Sequence, residues 1–185
     1  MKNKVAVISA TVICAVLFSC GNQKNVPSPQ ALETLSQLAT NKAFRVKAQW
    51  ANPLSTRSMN SVAASGLLPP GSSPNRIDIV GTTSYLEVRN DSVFGYLPYY
   101  GERQFGTVYN SAESGIQFKG IPKTLDIHFN EKKQRYDFSF AVVNKSGEQF
   151  DVNGSLFPNE KANFYINSTE RLTIGYTGVL EEIGE

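Results

Sequence analysis

Apolar and polar residues alternate with a period of two over most of this chain, first at Phe44, Val46, Ala48 and Trp50, with Arg45, Lys47 and Gln49 between them. Successive side chains of a strand point to opposite faces, so this is the pattern of a half-buried β-strand. The same period returns at Ile77 and Ile79, from Tyr85 to Arg89, from Val93 to Leu97, from Gly115 to Lys119 and from Thr124 to Asn130. It is strongest at Tyr136, Phe138, Phe140 and Val142, and it continues through Phe150, Val152 and Leu156, through Phe164 and Ile166, and through Leu172, Ile174 and Tyr176. Turn residues separate the runs at Asn90-Asp91, Gly120-Ile121-Pro122, Asn144-Lys145-Ser146-Gly147, Pro158-Asn159-Glu160-Lys161 and Ser168-Thr169-Glu170. Connections this short force antiparallel neighbours, because a parallel pair needs a crossover of about a dozen residues or more. The expected fold is mainly β, an antiparallel meander of about nine or ten short strands curled into a barrel-like or half-open barrel sheet.

Three stretches break the period. Ser28 is placed as an N-cap and Pro29 as the first helical residue, and Leu32, Leu35 and Leu38 form an apolar stripe to about Thr40, which predicts one N-terminal amphipathic helix. The stretch from Ala51 to Asn75 carries Pro53, Pro69, Pro70 and Pro74 among many serines and reads as a long Ser/Pro-rich loop. At the start, Lys2 and Lys4 precede an apolar run from Val5 to Phe18, which ends in Leu17-Phe18-Ser19-Cys20-Gly21. That run falls short of the roughly 20 apolar residues a membrane-spanning helix needs, and reads as a signal sequence.

Leu at −3, Ser at −1 and Cys at +1 are the pattern of a bacterial lipoprotein signal. Cleavage after Ser19 and acylation of Cys20, with palmitate or similar chains, would leave a lipidated tether over residues 20–28 and a single β-rich domain over residues 29–185. Several acyl chains at about 0.8 kcal/mol per buried methylene hold a protein on a membrane stably. The membrane, through the chains on Cys20, is thus one expected partner. Gly21, in place of an inner-membrane retention aspartate, points to the outer membrane. The non-acidic Asn22-Gln23-Lys24-Asn25 points to its periplasmic face.

Removal of residues 1–19 takes away Lys2 and Lys4 and leaves 16 basic against 16 acidic residues. Phosphate-backbone binding needs a clustered cationic excess, so nucleic acid is not an expected partner. Cys14 lies in the signal and Cys20 is acylated, which leaves no thiol for a disulfide, a metal or thiol catalysis. His128, the single histidine, sits in the alternating Leu125-Asp126-Ile127-His128-Phe129-Asn130 and is expected on the solvated face. Neither a metal site nor a cofactor is expected, and there is no Gly-rich phosphate loop, since Gly101 to Gly106 lacks the lysine and the spacing of one.

Three segments resemble one family. Asp91-Ser92-Val93-Phe94-Gly95-Tyr96-Leu97-Pro98-Tyr99-Tyr100-Gly101 is similar to its block ending in Leu-Pro-Tyr-aromatic-Gly. Gly115-Ile116-Gln117-Phe118 is similar to a short strand, and Ser168 through Val179 to a closing Arg-x-x-Ile-x-Tyr-x-Gly block. The family is the one catalogued as domain of unknown function 4251 (DUF4251), small lipoproteins found mainly in Bacteroidetes, and the likeness runs from about Phe44 to Leu180. It implies an envelope location and a domain extent, and it brings no activity. Where the family often has Arg directly after the first block's glycine, this chain has Glu102-Arg103, one residue displaced.

Tyr96, Tyr99 and Tyr100, with Arg103 and Arg171, form the candidate binding set. Tyrosines on a turn give stiff amphipathic surface suited to a sugar, a peptide or a protein, but the same rings could instead lock a strand end to the core. Arg171 could pair with a carboxylate such as Asp91 or hold an anionic ligand. Asp91-Ser92-Val93 fits a short acidic-hydroxyl-aliphatic O-glycosylation pattern, with Ser92 as acceptor. The reading that follows is an uncharacterised, lipid-anchored cell-envelope protein, a non-enzymatic module binding an unknown envelope ligand or protein. The alternative is an enzyme acting on envelope glycans or lipids through carboxylates and tyrosines, for which no catalytic residue can be named.

Overall fold

The computed structural model describes residues 27–105 and 114–183. Cys20 and the whole signal therefore lie outside the described residues. Helix α1 spans Pro29–Thr40, its start set by Ser28, whose Oγ accepts the Ala31 N–H at 3.2 Å, and by Pro29 at the first position. Leu35 and Ala39 are its buried residues, as the leucine stripe requires.

Ten strands follow: β1 (Ala43–Pro53), β2 (Ile77–Asp78), β3 (Tyr85–Arg89), β4 (Ser92–Leu97), β5 (Ile116–Gly120), β6 (Thr124–Asn130), β7 (Arg135–Val143), β8 (Gln149–Leu156), β9 (Lys161–Ser168) and β10 (Ile174–Glu182). They form one sheet in the order β5-β4-β3-β1-β10-β9-β8-β7-β6, with β2 pairing the far end of β1 on the same edge as β3. All the pairings are antiparallel. The one non-local pairing at the centre, β1 with β10, joins a short meander on one side to a long meander on the other.

The sheet curls into a half-barrel. Phe118 of the edge strand β5 meets Phe140 of β7 and Phe150 of β8 at ring-centroid distances of 5.9 and 5.5 Å, and Phe44 of β1 meets Phe138 of β7 at 5.7 Å. Strands far apart in the sheet order thus share one interior. Helix α1 packs against β1 and β7, Leu35 joins the core, and the Tyr136 hydroxyl and Ser36 Oγ lie at 3.0 Å.

The curl has local causes. A bulge between Ala48 and Trp50 puts an extra residue, Gln49, into β1, and bulges raise the local twist. Gly178 faces it, with no room for a Cβ beside the Lys47 carbonyl. On the concave side the Phe118 ring lies on Gly95 and the Phe138 ring on Gly154, so large rings fill the interior without pushing the strands apart.

The Ser/Pro-rich stretch, expected to be a loop from Ala51 to Asn75, is more ordered than that. Ala51 to Pro53 complete β1, and Arg57–Ala64 form a second helix, α2, with Thr56 as N-cap accepting the Met59 N–H at 3.2 Å. A helix of 8 residues with Met59 as its one buried side chain has too little apolar stripe to register as periodicity. Replacing Gly178 by Ala should lower stability by about 3 kcal/mol, because the clash is with the backbone of the facing strand β1, at Lys47 and Ala48. Urea unfolding of the soluble domain would measure it, and an unchanged midpoint would show that the bulge can yield.

Candidate functional site

The candidate residues gather at the end of the half-barrel where three connections meet: the β4–β5 segment after Pro98, the β7–β8 turn at residues 144–148, and the β9–β10 turn at residues 168–173. The β7–β8 turn is built by Asn144, whose Oδ1 accepts from the N–H groups of Ser146 and Glu148, each at 3.0 Å. Gly147, with φ of 89°, closes it. This turn delivers Glu148 into the protein with a fully buried carboxylate.

Burying a carboxylate is costly unless its charge and its lone pairs are all met. Arg171 meets Glu148 with both arms of its guanidinium, Nε to Oε1 at 2.8 Å and Nη2 to Oε2 at 3.1 Å. Ser168 Oγ donates to Oε1, and Arg103 Nη2 lies 3.6 Å from Oε2. Arg103 in turn pairs with Glu170, and Arg171 donates from Nη1 to the Ser114 carbonyl at 2.8 Å. Two arginines and two glutamates make a neutral network that ties all three connections together. Backbone bonds reinforce it, with Gln104 N–H to Glu170 O at 2.7 Å and Leu172 N–H to Glu102 O at 3.2 Å.

Arg171 is therefore held by Glu148 and not by Asp91, which pairs with Lys42 at 3.1 Å on the surface. The link between Arg171 and the tyrosine block is made differently. Its guanidinium lies 5.1 Å from the centre of the Tyr99 ring, and the Tyr99 hydroxyl is in range of the carbonyls of Glu102 and Leu172, at 2.9 and 3.1 Å. Tyr176, on β10, donates to the Pro98 carbonyl at 2.8 Å. Tyr99 and Tyr100 are half-buried against the core, and burial raises the pKa of both above the ordinary tyrosine value. For Tyr99 the nearby Arg171 charge opposes part of that rise. Of the candidate tyrosines these two serve structure, locking the end of β4 down.

Tyr96 has a different setting. It is 44% exposed on the convex face, stacked on Tyr85 with ring centroids 6.3 Å apart. Arg45 lies 5.0 Å over Tyr85, and Lys119 lies 5.4 Å over Phe94. A cleft of about 600 Å³ opens here, lined by Phe94, Tyr96 and Lys119 on one side, by Lys145 of the β7–β8 turn on another, and by the ionic network. Its two carboxylates, Glu148 and Glu170, are taken up by arginines, whereas Lys119 and Lys145 have no ion-pair partner among the described residues. The cleft thus presents free positive charge beside aromatic surface. Lys119 and Lys145 were not legible as site residues, since lone lysines on a strand and in a turn look like ordinary solvated positions.

Ser92 opens β4 in the β3–β4 hairpin, next to the exposed Asp91. His128 is on the solvated face, as expected, with Nδ1 2.7 Å from Asp126. Among the described residues no three acidic, histidine or cysteine side chains gather to hold a metal ion.

The model of the family described as "Domain of unknown function (DUF4251)" matches residues 28–180. This chain belongs to the DUF4251 family. A solved relative, the crystal structure of a DUF4251 family protein from Bacteroides eggerthii DSM 20697, superposes with a TM-score of 0.54 over 83% of this chain and 88% of that one, at 13% identity. At that identity the likeness carries the DUF4251 fold and nothing about ligands. No curated protein matches the chain.

Removing Arg171 leaves the buried Glu148 carboxylate with only Arg103, at 3.6 Å, to offset its charge. Arg171→Met should cost about 3 to 5 kcal/mol, and adding Glu148→Gln should return much of that loss. Denaturation of the two single variants and the double variant tests this. Additive losses would show that the pair is not coupled. Tyr99→Ala should lower stability by about 2 kcal/mol through lost packing and hydrogen bonding, measured by the same unfolding curves. An unchanged melt would return Tyr99 to the candidate binding surface.

Proposed function

We propose that this DUF4251 protein is a lipid-anchored module of the bacterial outer membrane, facing the periplasm, that binds an envelope ligand or protein and catalyses no reaction. The address rests on the sequence Leu17-Phe18-Ser19-Cys20, with acyl chains on Cys20 as the anchor. The binding role rests on the cleft beside Tyr96, and its carrying observation is the pairing state of its charges. Both carboxylates that could do acid–base chemistry there are engaged by arginines, and the free groups are the ammonium ions of Lys119 and Lys145 next to aromatic rings. Such a surface suits a ligand with negative charge beside an apolar face. A general acid or base needs a carboxyl free to reach substrate, so the arrangement favours binding over the glycan- or lipid-acting enzyme.

Ser92, beside an exposed Asp91 in a hairpin, is accessible enough to be an O-glycosylation acceptor, which mass analysis of the purified protein would show as a modified peptide.

Two measurements test the reading. Cys20→Ala should move the protein from the membrane fraction to the soluble one and abolish palmitate labelling, and membrane retention would sink the anchor. Affinity capture of the acylated protein from its own envelope should recover a component that is lost with Tyr96→Ala/Lys119→Ala/Lys145→Ala and weakened by salt, as exposed charge pairing requires. An identical yield from that variant would remove the cleft from the proposal.

A further inference from the structure

The convex face of the long meander has a composition of its own. One row of side chains across six strands reads Asp126, Ser139, Asn153, Tyr165, Gly175, Asn52, each directly opposite the next. The adjacent row reads His128, Asp137, Ser155, Asn163, Thr177, Trp50. Exposed sheet faces commonly carry long charged side chains, but these rows contain no lysine, arginine or glutamate. Their charged groups are confined to the β6–β7 side and are met locally, Asp126 by His128 at 2.7 Å and Asp137 by Arg135 at 2.7 Å.

Tyr165 stands in the middle of this face and is 56% exposed. One edge of its ring packs over the residue opposite, which is glycine. An ideal Cβ on Gly175 would sit 2.8 Å from one edge carbon of the ring and 3.0 Å from the next. One ring edge is thus held over bare backbone, while more than half of the residue remains open to solvent. Asn153, directly across on β8, and Asn163, two residues back on β9, have side-chain amides with no hydrogen-bond partner among the described residues. Asn167, two residues on, accepts from Thr173 Oγ1 at 2.7 Å and keeps its amide donors.

We infer that this face binds a neutral polysaccharide, with Tyr165 as the stacking platform. The axial C–H groups of a pyranose form an apolar patch that matches a flat aromatic ring, and each carboxamide sets a donor beside an acceptor, the complement of a vicinal pair of hydroxyls. Six strands at about 4.8 Å spacing span roughly 24 Å, enough for several sugar units. The two rows carry little net charge of their own, with one guanidinium, that of Arg76, lying over Trp50 at 4.0 Å, and such a face suits a neutral polymer better than a strongly ionic one. A protein partner would need an apolar centre larger than one ring, and Tyr165 is the only exposed large apolar residue on the two rows. The site is separate from the cleft and stands whether or not the cleft binds anything.

Affinity electrophoresis of the mature soluble domain through gels containing hydroxyethylcellulose, galactomannan or amylopectin, with polygalacturonate as the charged comparison, tests the inference. At least one neutral polymer should retard the wild type. Tyr165→Ala should weaken that retardation about tenfold, and Tyr165→Phe should retain most of it, because the ring remains. Asn153→Ala/Asn163→Ala should weaken it with the fold intact by circular dichroism, and Tyr96→Ala/Lys119→Ala/Lys145→Ala should leave it unchanged. No retardation by any neutral polymer, or retardation indifferent to Tyr165→Ala, overturns the site. Preferential retardation by polygalacturonate alone does the same.

Discussion

The pairing of β1 with β10 is the constraint on which the rest of this molecule depends. It brings the first strand of the domain against the last, and every other strand hangs on one side or the other of that pair. The short meander and the long one would otherwise be two open sheets with one apolar face each, and neither could bury that face alone. The bulge at Gln49 and the bare backbone of Gly178 turn the junction sharply, so that Phe118 at one edge reaches Phe140 and Phe150 near the other. A pairing of such large sequence separation raises the contact order of the chain, a topology that goes with slow folding.

Once the sheet has curled, three connections arrive at one end, and the ionic network of Glu148, Arg171, Arg103 and Glu170 holds them there. The network is neutral, and its centre is buried. Its contribution lies less in net stability than in register, since a misplaced turn would leave a charge unpaired in the interior. By engaging both glutamates it also determines what the neighbouring cleft can offer a ligand. That is two lysines without an ion-pair partner among the described residues and a wall of rings. The convex face of the long meander is chemically distinct from this cleft, uncharged at its centre and amide-rich. The two surfaces differ in the ligands they would suit.

Much of the fold was legible because strand alternation is local. Phe44 to Trp50, Tyr136 to Val142 and the Ser28-Pro29 helix start each declare themselves within about ten residues of sequence, and a short turn is sufficient evidence of an antiparallel neighbour. Helix α2 was not, because one buried methionine in eight residues carries no period. In the candidate site the types were legible and the partners were not. Arg171 stood out as a cation that pairs with a carboxylate such as Asp91 or holds an anionic ligand, yet its carboxylate, Glu148, lies 23 positions away behind two turns. Tyr96, Tyr99 and Tyr100 formed a single set in sequence, whereas the end of β4 splits them into one exposed ring and two that anchor the turn.

By itself the sequence determined the strands, their antiparallel sense, the N-terminal helix, and the expected lipid anchor with its neutral mature charge, all of which depend on residue type and near-neighbour spacing. Only the tertiary structure decided which charges meet, which rings reach solvent, and which polar residues line up across six strands. Those are relations between residues far apart in the chain, and they exist only after β1 has found β10 and the sheet has closed around its aromatic core.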